Sequence, residues 1–317
     1  MRLSLILATV ALTAAWSAVA NPLQREHIAA DAKWVLHLDG EAFFATHLGA
    51  QIAKDQIDPK MSQIRADLKA WFDFDLDWRR ITGATVYGVD FSSPENQRGV
   101  LILYTDLDVV QGIESAISKL ETSGSADAGS IKRLEAGDQP LYQTKDAFVR
   151  IHPKLGLVAG KNRDKVVRAS EVILGKAPNL KGQPAFTQFP AATGFFFFGA
   201  AEGFSQSPEL LQQAGGSGGP QANLLKMANG LRLVISEGNN QIVGSLTLLA
   251  QNAETSQKMQ QVVQGLLALG ALSQTENADL QMLVNGTRVQ STDRAVTVEL
   301  SLPVGKIAQK IAEKTGK

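Results

Sequence analysis

The chain contains no cysteine. That excludes disulfides, thiolate metal sites, redox pairs and a thiol nucleophile. It also excludes the lipid-bearing cysteine of a bacterial lipoprotein, so stability must come from ordinary core burial. Aromatic residues make up 6%, and only 4 are tryptophan, one of them Trp16 near the start. That scarcity argues against sugar handling. Neither sign of charge prevails, with 31 Lys and Arg against 31 Asp and Glu scattered along the sequence. Without a basic stripe, nucleic-acid binding lacks electrostatic support. No basic amphipathic segment suggests an anionic membrane surface. Long apolar runs are missing as well. A spanning helix needs about 20 apolar residues. Leu3 to Ala15 falls short, and the apolar pattern at 262–272 is interrupted by Gln264, Gly265 and Gly270.

What is present starts at the N-terminus. Arg2 precedes the apolar run, which closes on Ser17-Ala18-Val19-Ala20. This is the layout of a secretory signal peptide, with Ala18 and Ala20 as the small residues before the cut. The expectation is an exported protein, periplasmic or extracellular, soluble after cleavage of residues 1–20 and starting at Asn21. Cleavage removes Arg2, leaving 30 Lys and Arg against 31 Asp and Glu over 297 residues. That length suits one large domain or two medium ones.

Periodicity then predicts the elements. Residues 33–39 read as a strand with Trp34, Leu36 and Leu38 on its inward face and His37 toward solvent. A helix over 41–54 follows, broken by Asp58-Pro59 before a second helix with Met61, Ile64, Leu68, Trp71 and Phe72 on one side. Residues 84–91 and 99–105 form a hairpin around a polar loop, and a helix capped by Asp106 or Asp108 carries Val109, Ile113 and Ile117. Short strands follow at 131–135, 140–144, 147–152 and 155–160, then a helix capped by Asn162 or Asp164 and stopped by Gly175. Residues 176–192, with Pro178, Pro184 and Pro190, read as a connector.

The order then starts again. A buried strand holds Phe195 to Phe198, and short helices cover 208–214 and 221–228 on either side of a glycine-rich loop. A hairpin turns at 238–240, and a long helix over 254–273 carries Met259, Val262, Val263, Leu266, Leu267 and Leu269. A helix over 278–284, strands at 288–292 and 295–302 and a terminal helix complete it. The fold class is therefore α+β, with antiparallel sheets and helices on one face. The element order suggests a tandem repeat of two similar halves, 21–175 and 193–317.

Motifs with chemical potential each have a plainer explanation. Asp73, Asp75 and Asp77 alternate like the start of a calcium loop, but Trp78 and Ala84 stand where Gly and Glu are required. Gly215-Gly216-Ser217-Gly218-Gly219 fits G-x-S-x-G, yet no strand precedes it and Pro220 follows, so a flexible loop is expected. His27, His37 and His47 lie ten residues apart, with His152 distant, so each is read as an isolated surface histidine. Asp39 with Glu41, and Asp106 with Asp108, are neighbours on loops rather than a pair across a cleft, and helix capping accounts for them. Phe195 to Phe198 and the long helix could line an apolar pocket, but core is the simpler assignment. Asn285-Gly286-Thr287 fits a glycosylation acceptor and equally a turn. No catalytic, cofactor-binding or metal-ligating residue is assigned, and no cofactor is implied.

WVLHLDGEAF at 34–43, ITGATVYGVDF at 81–91 and QVVQGLLALGAL at 261–272 give the chain a wider likeness. It resembles uncharacterised exported bacterial proteins with a signal peptide and two α+β halves. These are packing motifs, and the resemblance implies no activity and no site residues. The expected role is a non-catalytic binding or interaction protein of the cell envelope. Its partner would be an envelope protein or an apolar small molecule. The alternatives are a periplasmic carrier of an apolar ligand and a hydrolase with dispersed catalytic residues.

Overall fold

A computed structural model describes residues 23–91, 99–122, 131–137, 139–153, 155–187, 194–207, 219–272 and 278–315. The leader at 1–20, the polar loop at 92–98, the helix expected at 208–214 and Gly215 to Gly218 lie outside them.

Strand β1 (Trp34–Asp39) ends where Asp39 caps α1 (Gly40–Ala45), its Oδ1 accepting from the Ala42 amide at 2.9 Å. The single helix expected over 41–54 is instead two. Thr46 adopts an extended backbone at φ −76° and ψ 159°, and its Oγ1 accepts from the Gly49 amide at 2.9 Å to start α2 (His47–Ile52). A side chain that satisfies a free amide makes such a restart cheap. Glu237 reaches across from the sheet and accepts from the amides of His47 and Leu48 at 2.8 and 3.0 Å. Asp58-Pro59 does not interrupt the chain. A π turn, Ala53–Ile57, runs directly into α3 (Asp58–Phe72), with Pro59 in the first turn, where its missing amide has no partner to lose. The apolar spacing of α3 does not mark a buried face, since Ile64 is 44% exposed. The side chains of Trp71 and Phe72 lie outside the described set.

The first hairpin forms as β2 (Ile81–Gly88) and β3 (Val100–Thr105). Asp108 opens α4 (Val109–Thr122), accepting from the Gln111 amide at 3.0 Å, while Asp106 pairs with Arg80 at 2.8 Å. The short strands are β4 (Lys132–Ala136), β5 (Gln139–Gln143), β6 (Phe148–His152) and β7 (Gly156–Gly160). Asn162 caps α5 (Arg163–Ile173), accepting from the Lys165 amide at 3.0 Å. Then come β8 (Phe195–Glu202), α6 (Pro220–Met227), β9 (Ala228–Gly238), β10 (Gln241–Ala250), α7 (Ala253–Leu272), α8 (Ala278–Asn285), β11 (Thr287–Thr292), β12 (Ala295–Pro303) and α9 (Val304–Thr315). Asn239 and Asn240, at φ 51° and 59°, form the two-residue turn between β9 and β10. Asparagine tolerates this left-handed backbone, and the turn matches the twist of the strands.

All these strands lie in one antiparallel 12-stranded sheet, ordered β11-β12-β10-β9-β8-β1-β2-β3-β7-β6-β5-β4. The protein is α+β. Strands β1 and β8, distant in sequence, pair at the middle of the sheet, where Val35 faces Ala200 and His37 faces Phe198. Leu180 and Phe186, from the stretch expected to be a connector, are buried in the main core.

Three clusters of buried side chains hold the layers. In the largest, Val166, Ala169 and Val172 of α5 pack with Val35, Tyr87, Ile102 and Val158 of the sheet. In the second, Leu224 of α6 and Met259 and Val263 of α7 pack with Leu248 and Val296. Register places Leu248 on the sheet face opposite Val35, so α5 and α7 lie on opposite sides. The third joins α2 and α9 through Leu48, Val304 and Ala308. Each fully buried aliphatic side chain gains about 1.5–3 kcal/mol over exposure. The apolar stripe of α7 extends beyond its packing, because Leu269 remains 63% exposed. Phe195 to Phe198 do not form a wholly buried run. Phe196 and Phe198 are buried, while Phe195 and Phe197 are half-buried.

Candidate functional site

Strand register sorts the central side chains into two faces. On one, Val35 lies opposite Tyr87 and Ala200, His37 opposite Thr85 and Phe198, and Ile102 opposite Thr85 and Val158. All of these are buried beneath α5 and the chain around Ile28 and Leu180. On the other, Leu36 lies opposite Val86 and Gly199, Leu103 opposite Ala84 and Leu157, and Phe197 opposite Leu38 and Ile235. Leu101 and Leu233 continue this second ladder. Its leucines, Val86, Phe197 and Ile235 are only half-buried, and Leu36 is 44% exposed. None of them belongs to the buried clusters.

This face crosses the adjacent strands β9, β8, β1, β2, β3 and β7. At the usual strand spacing it is about 24 Å wide. Helix α1 closes one end, where Phe43 packs on Phe196 at 5.1 Å and Phe44 on Trp78 at 4.9 Å between ring centres. Helices α6 and α7 cover the same side farther along, over β10 and β12. Between these covers lies an aliphatic strip that water reaches. Leu36 is its exposed member, and the others are half-buried.

The face of β1 expected to point inward is this open one, and the expectation is reversed. Trp34, Leu36 and Leu38 are more apolar than Val35, His37 and Asp39, yet Val35, His37 and Asp39 are the buried set. Alternation tells which residues share a face, but the elements packed above decide which face is inside.

The histidines also depart from the surface positions expected of them. His37 is 1% exposed, and its Nδ1 lies 2.8 Å from Thr85 Oγ1. Thr85 Oγ1 in turn donates toward the Tyr104 hydroxyl at 3.4 Å. His27 stacks on the Tyr104 ring at 5.9 Å, and His37 meets that ring edge-on at 6.4 Å. His152 is buried as well, two residues from Arg150 on β6. So His27 and His37, and His152 from far along the chain, gather on the covered sheet face. Among the described residues, His27 Nδ1 and His152 Nε2 are enclosed without a hydrogen-bond partner. Burial pulls His152 down to about 4, with the charges of Arg150 and His27 adding to the effect. Burial likewise lowers His27, against the raising influence of Glu26. Burial pushes Tyr104 up to about 12, opposed by its hydrogen bond with Thr85. His27, His152 and Tyr104 are therefore neutral at pH 7. His47 alone keeps a surface position, with its Nδ1 2.9 Å from Glu237.

The remaining motifs serve local structure. Asp73 ends α3 in a left-handed conformation at φ 54°, Asp75 pairs with Arg65, and Asp77 accepts from the Arg79 amide at 3.1 Å. Asp75 and Asp77 thus serve separate partners, while Asp73 is placed by its backbone. Asn285 is the last residue of α8, and Gly286 passes so close to β12 that a Cβ would sit 2.5 Å from the Ser301 carbonyl oxygen. Among the described residues, no cluster of His, Asp or Glu is arranged to hold a metal ion. No described helix is long and apolar enough to cross a membrane.

The chain is an α+β protein built on one continuous antiparallel sheet. No protein-family model matches the sequence, and no curated protein does. Solved structures of the protein TP0453 are similar over most of the chain. Crystal form III is 11% identical with a TM-score of 0.48, covering 91% of this chain and 97% of TP0453. Crystal form IV is 13% identical with a TM-score of 0.46, covering 94% and 99%.

Proposed function

We propose that the protein is exported, loses residues 1–20, and acts in the cell envelope as a non-catalytic binding protein. The open sheet face is its recognition surface, and an elongated apolar ligand of the acyl-chain type is the occupant. The observation that carries this reading is the ladder of Leu36, Val86, Leu101, Leu103, Leu157, Phe197 and Leu233, aliphatic or aromatic throughout and incompletely covered. Each methylene buried against it gains about 0.8 kcal/mol. A flat aliphatic strip offers no hydrogen-bonding pattern, which favours a chain-like hydrocarbon over a polar one. The two halves, 21–175 and 193–317, are read as a duplicated unit. Outward from their junction run β1-β2-β3-β7-β6-β5-β4 and β8-β9-β10-β12-β11, and the first five strands of the longer arm follow the same order as the five of the shorter, which supports that reading.

The test is organic extraction and mass spectrometry of protein purified from its native envelope, beside Leu36→Asp. The expected result is copurified lipid or fatty acid at near-stoichiometric yield in the wild type and its loss in the variant. Leu36 is exposed, so the variant should lose under about 1 kcal/mol of stability. Equal, trace lipid in both, with a protein partner retained on the wild type alone, would transfer the face to protein recognition.

A further inference from the structure

Residues 23–32, with a 3-10 turn at Arg25–His27, lie beside residues 177–187 on the covered side of the sheet. The two stretches are tied to each other. Arg25 Nη2 donates to the carbonyl oxygens of Leu180, Gln183 and Ala185 at 3.2, 2.9 and 2.9 Å. The Ala30 amide donates to Pro178 at 3.1 Å, and the Leu180 amide donates to Ile28 at 2.9 Å. The body holds this cover through the Phe186 amide, which donates to Glu202 at 2.8 Å, through the Arg168–Asp31 ion pair at 2.8 Å, and through Tyr87, which hydrogen-bonds the backbone of Ala29. Ile28, Leu180 and Phe186 bury their side chains in the main core. Phe186 sits there at φ 60°, a left-handed backbone that a bulky residue adopts only where its surroundings impose it. Undocking relieves that strain.

Between cover and sheet lie His27 Nδ1 and His152 Nε2, both enclosed without a hydrogen-bond partner among the described residues. A lone pair on a neutral imidazole tolerates such a place. The N–H of an imidazolium there is a charged donor with neither water nor an acceptor. The surroundings add little to meet that charge. Tyr104 of β3 stacks on His27, His37 of β1 meets the same ring, and Arg150 of β6 adds positive charge, as each histidine does for the other. Glu26 attracts His27, while Glu171 and Arg163 of α5 act on Arg150 in opposite senses. Lys176 and Lys181 are exposed. Burial raises Glu202 of β8, so its own protonation favours the closed cover.

We propose that this cover is an acid-released strap: charging His27 and His152 frees residues 23–32 and 177–187 from the sheet while the strands stay paired. Once lifted, the short bridge between the two stretches does not persist, since an isolated pair of strands is marginal in water. Hydrogen exchange of the full chain at the Ala30, Leu180 and Phe186 amides, at pH 7 and 5 and corrected for intrinsic rates, tests it. Protection there should fall about twentyfold through His152 alone, which titrates at 6.5 when free and at about 4 in place. That exchange should depend little on urea, whereas amides of β2 and β3 keep the full urea dependence of global unfolding. The His27→Gln/His152→Gln double variant should protect the cover amides alike at both pH values. Arg25→Gln should speed their exchange at both and leave the ratio unchanged. If the double variant fails to fold, the imidazole proton resonances of the wild type decide, and a His152 midpoint near 6.5 with the cover still protected overturns the proposal. So does a pH ratio that survives in the double variant, or cover amides that share the urea dependence of the strands at pH 5.

Discussion

Replacing His152 by glutamine should flatten the acid side of the stability profile. In the folded chain burial brings His152 to about 4, against 6.5 for the free side chain. Above pH 6.5 both folded and unfolded chains carry it neutral, and it contributes no pH dependence. Between pH 6.5 and about 4 the unfolded chain takes up a proton that the folded chain refuses. Stability therefore falls as pH falls through that window and levels off below it. Each pH unit between the two values is worth about 1.4 kcal/mol. Allowing for screening by solvent at the edge of the cluster, the loss is about 2 kcal/mol. His27, also lowered by burial, adds in the same direction. Urea unfolding at half-unit steps from pH 8 to 4 measures the profile for wild type and His152→Gln. The difference between the two curves isolates this histidine from the carboxylates that titrate in both. It should be constant above pH 7 and shrink by about 2 kcal/mol on reaching pH 4. Parallel curves throughout would refute the reasoning, because His152 would then titrate alike in both states.

Further outcomes follow from packing and backbone geometry. Met259→Ala empties a position with no exposed surface between α7 and the sheet, and should cost about 2–5 kcal/mol by urea denaturation at pH 7. Gly156→Ala puts a Cβ 1.9 Å from the Leu103 carbonyl oxygen at φ +132°, so β3 and β7 must separate. The cost should be about 3 kcal/mol or more, read as faster hydrogen exchange at the Tyr104 and Thr105 amides. Asn162→Ala removes the cap of α5 and should cost about 1 kcal/mol, with Asn162→Asp restoring it.

The local order of elements was legible because it rests on neighbours in sequence. Asp39, Asp108 and Asn162 start helices by accepting amides three residues on. Asn239-Asn240 turns a hairpin through its own backbone angles. Such signals act within a few residues and survive in any context. The spacing of Met61 and Ile64 was misleading for the opposite reason. A helical apolar pattern needs a partner surface, and α3 has little sheet beneath it. Thr46 shows the finer failure: a threonine inside an apolar helical pattern restarts the helix because Glu237, nearly two hundred residues away, holds the new amides.

The candidate sites were less legible. His27, His37 and His152 sit at spacings that suggest nothing, and only the pairing of β1, β2, β3, β7 and β6 brings the strands of His37 and His152 onto one face, where His27 stacks on Tyr104 from a short 3-10 turn. Arg150 gave no signal at all, since a lone arginine in a short strand reads as surface.

By itself the sequence determined the absence of thiol chemistry, the α+β class and the order of most described strands and helices, because these follow from composition and short-range periodicity. Tertiary structure alone decided that all the described strands share one sheet, that the more apolar side of β1 faces outward, and that His37 and His152 end up buried on the covered face. Period-two alternation is symmetric between the faces of a strand. What breaks that symmetry is the position of α5, α6 and α7, and the chain fixes it only through contacts between distant segments.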